Sequence, residues 1–485
     1  MTLIWPLTHI FGIVLMGFSG LMSTALAVSF LAEDGATAAF LNGTLATFTL
    51  GLLMFGSTMH VKKEVRARAG FLLVALTWSL LPAFGAIPLV LQLPGLSFTD
   101  AYFEAMSGLT TTGATLLSGL DAMPASINLW RHELNWIAGM GIIVFAVAIL
   151  PILGVGGMQL YKAETPGATK ESSLPPRIAQ TAKALWVVYA GYTVVCILCL
   201  KLAGMNWLDA VCHAFAAMSL GGFSTHDANV GYFDSVSIEV ILTVFQLAAG
   251  INFATHFVAV RKLTTAPYAR DPEAKSFLLL VLGSCLLAAG VLWNQGVYPD
   301  YWTALRYASF NLVTIATDCG FANADFGQWP ILVPLWMLFL SCISTSSGST
   351  GGGIRMIRTI ILVKQSLREF HLLIHPQSVT PLKIGENIIG NKVVMSVLGF
   401  IFLYFISVVS LTFVLMFQGL DFVTAFTAVI ACINNAGPGL GQVGPAGNYS
   451  VLTDYETWVL SFTMLLGRVQ IFSVLILFVP EFWRK

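Results

Sequence analysis

Four short stretches of the 485-residue chain share a spacing suited to holding a cation by backbone oxygen. They are Thr110-Thr111-Thr112-Gly113, Ser219-Leu220-Gly221-Gly222, Thr317-Asp318-Cys319-Gly320 and Asn434-Asn435-Ala436-Gly437. Each follows an apolar segment of half the length needed to span a bilayer. Aligned on the last glycine, an alanine stands 12 residues earlier (Ala101, Ala210, Ala308, Ala425) and a hydroxyl or amide side chain three earlier. The glycines lie 109, 98 and 117 residues apart, so each belongs to a unit of span, half-helix, glycine loop and span. Glycine accepts positive φ, so a short loop of this kind aims successive carbonyls at one axis. Oxygens so arranged replace the hydration shell of a cation. The plainer alternative is four re-entrant loops that only pack, yet packing alone does not require glycine in phase.

The elements that position these loops are written in the composition. Hydrophobic residues make up 56% of the chain and charged residues 10%, too few charges to cover a water-facing surface of this size. The mean hydropathy is +0.81. Apolar blocks at 9–31, 36–59, 70–94, 134–154, 184–204, 236–260, 276–296, 330–363, 393–418 and 457–479 predict ten spans. With the N-terminus placed inside, 20 of the 24 basic residues fall at inner ends or loops, with Arg131 and Arg306 clearly outside. Both termini are then cytoplasmic. Sixteen of the 24 acidic residues fall outside, among them Glu104, Asp121, Asp209 and Asp227, where they either solvate loops or concentrate cations at an entrance. The run ending at Leu31 is too long for a signal peptide and reads as the first span. Cys196 and Cys199 form a lone C-x-x-C with no second pair, which favours small buried hydrophobes over a zinc site.

At these residues the sequence resembles the Trk/Ktr/HKT superfamily of potassium uptake proteins, in its TrkH type. Thr111-Thr112-Gly113-Ala114-Thr115 resembles the first filter of that family, Gly221-Gly222-Phe223-Ser224-Thr225-His226-Asp227 the second, Cys319-Gly320-Phe321 the third, and Asn434-Asn435-Ala436-Gly437-Pro438-Gly439-Leu440 the fourth. Gly139-Met140-Gly141-Ile142-Ile143, Pro175-Pro176-Arg177-Ile178-Ala179 and the ending Phe482-Trp483-Arg484 fit as well, and the likeness runs along nearly the whole chain. It implies potassium as substrate, held by Thr111, Thr112, Gly113, Leu220, Gly221, Gly222, Asp318, Cys319, Gly320, Asn435, Ala436 and Gly437 through backbone carbonyls. It also implies a homodimer with one pore per subunit, set in the bacterial inner membrane among its lipids. A cytoplasmic TrkA-like ring of RCK domains would regulate opening. Neither G-x-x-x-x-G-K-[ST] nor a dinucleotide fingerprint occurs, so ATP, ADP or NAD would act only through that ring; no covalent cofactor and no nucleic-acid partner are expected.

The expected architecture is therefore an all-α polytopic membrane protein, with four tandem helix–pore-loop–helix repeats around one pore. Residues 1–69 supply two extra transmembrane helices, and the repeats occupy 70–160, 161–262, 263–365 and 366–485. The span after the third glycine loop is interrupted by Ser344-Thr345-Ser346-Ser347-Gly348-Ser349-Thr350-Gly351-Gly352-Gly353, a run of poor helix propensity. It is either a kink or, as the family resemblance favours, a mobile gate in which Ser346, Ser347, Gly348, Gly351, Gly352 and Gly353 block the pore. Arg468 lies within a span, where a charge is costly and faces a cavity or a partner; in the family pattern it faces the gate. Two residues depart from that pattern. Gln470 stands where an acid is usual, leaving the neutralisation of Arg468 open, and Asp318 either lines the pore or turns back to bond a loop. A symporter coupling potassium to protons or sodium is the alternative function. It is weakened by repeats that run in one orientation and by the scarcity of ionisable groups at mid-membrane. An enzyme is not expected: no H-E-x-x-H occurs, and His371 and His375 have no adjacent acidic motif.

Overall fold

The computed structural model describes residues 4–60, 67–144, 175–385 and 387–484. The last part of the fourth apolar block, the boundary at 160/161 and the basic residues Lys62, Lys63, Arg66, Lys162, Lys170 and Lys485 lie outside them. The described chain is helical apart from its loops and one hairpin, in which β1 (Leu382–Ile384) pairs antiparallel with β2 (Asn387–Ile389).

All ten apolar blocks contain helix. Unbroken spans are α1 (Ile4–Ala32), α2 (Thr37–Ser57), α7 (Pro175–Leu202), α12 (Pro272–Asn294) and α16 (Asn391–Phe417). α3 (Ala67–Gly85) runs on into the short α4 (Ile87–Gln92), and α6 (Ala125–Val144) forms the described part of the fourth block. Among the described residues six helices are long and apolar enough to cross a membrane, with 28% to 39% of each apolar window buried. The remaining faces present side chains such as Leu198, Leu282, Phe405 and Phe413 outward, as lipid requires.

The other spans are broken. The predicted interruption in 330–363 separates α14 (Leu332–Ile343) from α15 (Met356–Ile374). Two more breaks were not anticipated. α9 (Val236–Ala249) bends by 99° into α10 (Phe253–Lys262), which the short α11 (Ala266–Arg270) follows, and α18 (Asp454–Arg468) bends by 114° into α19 (Ile471–Leu475) and the turn after it. In both places the apolar run continues through the bend, so hydropathy alone reads one straight helix.

Between the spans lie four half-helices, α5 (Phe98–Leu109), α8 (Trp207–Ser219), α13 (Tyr301–Ala316) and α17 (Phe422–Asn434). Each starts at a side-chain cap: Ser97, Asn206, Asp300 and Asp421 accept backbone N–H groups of the first turn. Three caps stand 16 residues before the aligned glycine, while Asp300 stands 20 before Gly320, which makes α13 one turn longer. The alanines 12 residues before each glycine are all buried, where only a small side chain fits between packed helices.

The two extra helices form a hairpin closed by glycine. A Cβ on Gly12 would stand 2.8 Å from the Gly51 carbonyl, and one on Gly51 would stand 2.9 Å from the Gly12 carbonyl. Small residues facing each other let two helix backbones approach where no water drives them together. Gly12→Val or Gly51→Val is expected to force the hairpin apart at a cost of about 1–3 kcal/mol. Thermal melts in detergent should show a lowered midpoint for both. Gly20→Val, where no atom lies within 4 Å of the new Cβ, should leave it in place.

Candidate functional site

Each half-helix ends in the same backbone figure. The residue two before the glycine is left-handed in every repeat, with φ of 52° at Thr111, 56° at Leu220, 64° at Asp318 and 59° at Asn435. The glycine is left-handed again, with φ of 81°, 63°, 91° and 88° at Gly113, Gly222, Gly320 and Gly437. The residue between them donates its N–H five residues back at 2.8 Å in all four cases: Thr112 to Ser107, Gly221 to Ala216, Cys319 to Thr314 and Ala436 to Ala431. This is a Schellman-type helix ending. Glycine normally takes its left-handed position; here Thr111 and Leu220 bear the strain, about 1–2 kcal/mol for an ordinary L-residue, while Asp318 and Asn435 adopt it more readily.

The four loops close into a ring. A Cβ on Gly113 would stand 2.5 Å from the carbonyl oxygen of Gly221, one on Gly320 would stand 2.5 Å from that of Ala436, and one on Gly437 would stand 2.8 Å from that of Thr112. A Cβ on Gly222 would overlap the Cys319 carbonyl. Each glycine therefore touches the next loop, in the order one, two, three, four and back to one. Glycine is required twice over, by its dihedral and by its neighbour.

Buried polar contacts lock this ring from behind. Arg131 and Glu104 form an ion pair of 2.7 Å with both side chains almost fully buried. Glu104 also accepts the Thr115 hydroxyl at 3.0 Å and the Leu116 N–H at 3.1 Å, while Arg131 stacks over Phe223, so one pair joins the first and second loops. Nearer the surface, Arg306 pairs with the buried Glu239 at 2.8 Å and with the exposed Asp234 at 2.9 Å. The two arginines assigned to the outer side by sequence are thus paired. Beyond the loops, His226 bridges Asp121 and Asp209 through its two ring nitrogens, and the bond from His226 holds the Asp121 carboxyl below the usual carboxylate range. Asp227 accepts the Gly119 and Leu120 N–H groups at 2.8 and 3.1 Å.

The segment 344–353 lies against the C-terminal ends of these half-helices. Its Thr350 hydroxyl donates to the Met218 carbonyl at 3.1 Å, Gly352 N–H donates to Asp318 Oδ2 at 3.0 Å, and a Cβ on Gly352 would overlap the Asn434 carbonyl. It thus meets repeats two, three and four. Its other backbone groups join the break in the sixth block: Ser346 N–H donates to the Gly250 carbonyl at 3.0 Å, and Phe253 N–H to the Gly348 carbonyl at 3.1 Å. Ser347 N–H donates to the buried Glu273 carboxylate at 2.8 Å. Gly351 and Gly353 complete the segment, packed against Thr345 and against the Ser341 and Cys342 carbonyls. Arg468 donates to the Thr350 carbonyl at 3.0 Å and to the Ala138 carbonyl of α6 at 2.8 Å. Gln470 lies 3.4 Å from Arg358 instead, so the two terminal nitrogens of Arg468 are held by carbonyls and not by Gln470, and its Nε has no hydrogen-bond partner among the described residues. Asp318 turns back to the loop. Cys196 is buried and Cys199 half-buried, and no group of His, Cys, Asp and Glu suited to a metal occurs among the described residues.

Known proteins resemble this chain along nearly its whole length. Residues 36–485 match the family model TrkH, described as a cation transport protein. The chain belongs to the TrkH family. It is 45% identical over 480 residues to the Trk system potassium uptake protein TrkH of Halomonas elongata, covering 98% of each chain. It is 42% identical to the TrkH protein of Escherichia coli K12, covering 99% of each. The crystal structure of the potassium transporter TrkH from Vibrio parahaemolyticus superposes with a TM-score of 0.92 at 40% identity, over 99% of this chain and all of that one.

Sequence reasoning missed the left-handed residue before each loop, the pairing of Glu104 with Arg131, Glu273 and the break at 250–252. Asn252, which caps α10 by accepting the Ala254 N–H at 2.8 Å, was the available signal for the last of these. For this member of the family, Arg131→Met leaves Glu104 buried without its countercharge. The expected loss is about 3–5 kcal/mol of stability, read as a lowered detergent melting midpoint. Arg131→Met with Glu104→Gln should cost less than the two single changes added together.

Proposed function

We propose that this chain forms the conducting pore of a potassium uptake system in the bacterial cytoplasmic membrane. The twelve residues at the four loops act as its selectivity filter. The observation that carries this is the ring of eight left-handed residues in phase, each glycine against its neighbour's backbone. Loops of this form turn polar backbone inward where no lipid reaches it, and carbonyl oxygens then stand in for water around a potassium ion. The C-termini of α5, α8, α13 and α17 lead into the ring, so four helix dipoles put their negative ends toward the ion. The potassium uptake role that names the Halomonas and Escherichia relatives supports the choice of ion.

The segment 344–353 is the gate, with Ser346, Ser347, Gly348, Gly351, Gly352 and Gly353 in its backbone and Arg468 as its clasp. It crosses beneath three repeats, while Arg468 ties it to the first through Ala138. Two chains pair as a homodimer, each with its own pore. A cytoplasmic TrkA-like ring of RCK domains binds the nucleotide and pulls the loop open.

Rubidium and sodium uptake into proteoliposomes, with and without a proton gradient, tests the pore. Rubidium should enter in preference to sodium whether or not the gradient is present, and dependence on the gradient would favour symport instead. Gly113→Ser should bring rubidium and sodium fluxes closer together; unchanged selectivity would remove Gly113 from the filter. The gate has its own test. Arg468→Ala, or deletion of residues 351–353, should raise rubidium flux through the subunit without its partner ring, and an unchanged flux would show that 344–353 does not obstruct the pore.

A further inference from the structure

The Asp318 side chain stands between the third loop and segment 344–353. It is fully buried, its Oδ2 accepts only the Gly352 N–H, and its Oδ1 has no hydrogen-bond partner among the described residues. Its Cα belongs to the third loop of the ring, with φ 64°, so the short side chain starts from the ring itself. A buried carboxylate held by one neutral N–H is poorly compensated, since taking such a charge out of water costs several kcal/mol. Arg468 is engaged with the Thr350 and Ala138 carbonyls. In the gating proposed above, Gly352 N–H would leave with segment 344–353, and the Asp318 carboxylate would lose its one hydrogen bond.

We propose that Asp318 is an exchangeable ligand at the inner end of the filter. Gly352 N–H occupies it when the loop is in place, and a monovalent cation takes that position when the loop leaves. Cation occupancy there and closure of 344–353 then exclude each other, so permeant ion in the pore resists closing. The site suits a single charge. One carboxylate supplies neither the ligand count nor the charge a divalent ion requires. A weakly held monovalent ion also leaves readily, as conduction demands. This rests on the pore reading above and adds a side-chain ligand to it.

The test is rubidium uptake into proteoliposomes against rubidium concentration. Asp318→Asn keeps an oxygen for the Gly352 N–H but removes the charge, and it should raise the half-saturating concentration by about tenfold, which corresponds to 1.4 kcal/mol. Glu273→Gln, which neutralises the other carboxylate holding the same loop, should shift it less than threefold. An unchanged half-saturation in Asp318→Asn would reduce Asp318 to a latch and overturn the proposal. An equal rise in both variants would assign the effect to loop anchoring and overturn it too. If Asp318→Asn is not recovered folded, Asp318→Thr carries the same comparison. Absence of rubidium uptake by the unsubstituted protein with its partner ring would instead defeat the pore reading, so the two failures are distinguishable.

Discussion

A peptide group placed in hydrocarbon must find its hydrogen-bond partner within the protein, because no water is there to replace it. The irregular features of this chain at membrane depth are organised by that constraint. At the four half-helix ends, the N–H just before each glycine returns five residues to the helix it has left. At the two facing breaks, the groups released by one helix are accepted by the other: Ser346 bonds Gly250, and Phe253 bonds Gly348. Neither break is stable alone. A straight helix through 236–262 would leave the loop 344–353 with unpaired N–H groups, and a straight 330–363 span would orphan the facing ends of α9 and α10.

The same constraint explains which parts were legible beforehand. The ten blocks could be read because lipid demands long apolar runs, and the glycine register because both dihedral and close approach exclude any side chain. The Ser-Thr-Gly run announced its own break by weak helix propensity. The left-handed residue two before each glycine left no such mark, since Asp318 and Asn435 are types that favour this conformation but Thr111 and Leu220 are not. The break at 250–252 carried only the Asn252 cap as a local mark, because the groups that hold it open, at Ser346 and Gly348, lie far away in sequence. Glu104 and Arg131, 27 residues apart, looked like two outer charges until the fold placed them 2.7 Å apart.

The ring is fourfold in its backbone only. The Gly221 carbonyl accepts from Asn135 at 3.1 Å, and the Gly437 carbonyl accepts from the Tyr449 hydroxyl at 2.7 Å. Thr112 ties the first loop to Asn435 of the fourth at 3.0 Å, whereas Asp318 of the third reaches out of the ring. A ring made by four identical subunits would have to repeat every such contact. One made from a single chain can let its quarters differ. Here loops one and two are supported from behind, loops one and four brace each other, and loop three makes the outward connection.

That division bears on why an arginine sits at the end of α18. The segment 344–353 contacts repeats two, three and four through its own atoms, and none of those bonds reaches the first repeat. Arg468 supplies the missing link, with one terminal nitrogen on the Thr350 carbonyl and the other on the Ala138 carbonyl. The planar guanidinium holds two donors at a fixed separation, so it can bridge two carbonyls on different elements. A lysine would bring a single flexible point of charge and would not fix that separation. The residue that closes the underside of the ring is therefore also one that must keep its charge buried. In the gating proposed above, release of the loop would take away the Thr350 carbonyl and leave Arg468 with the Ala138 carbonyl of α6.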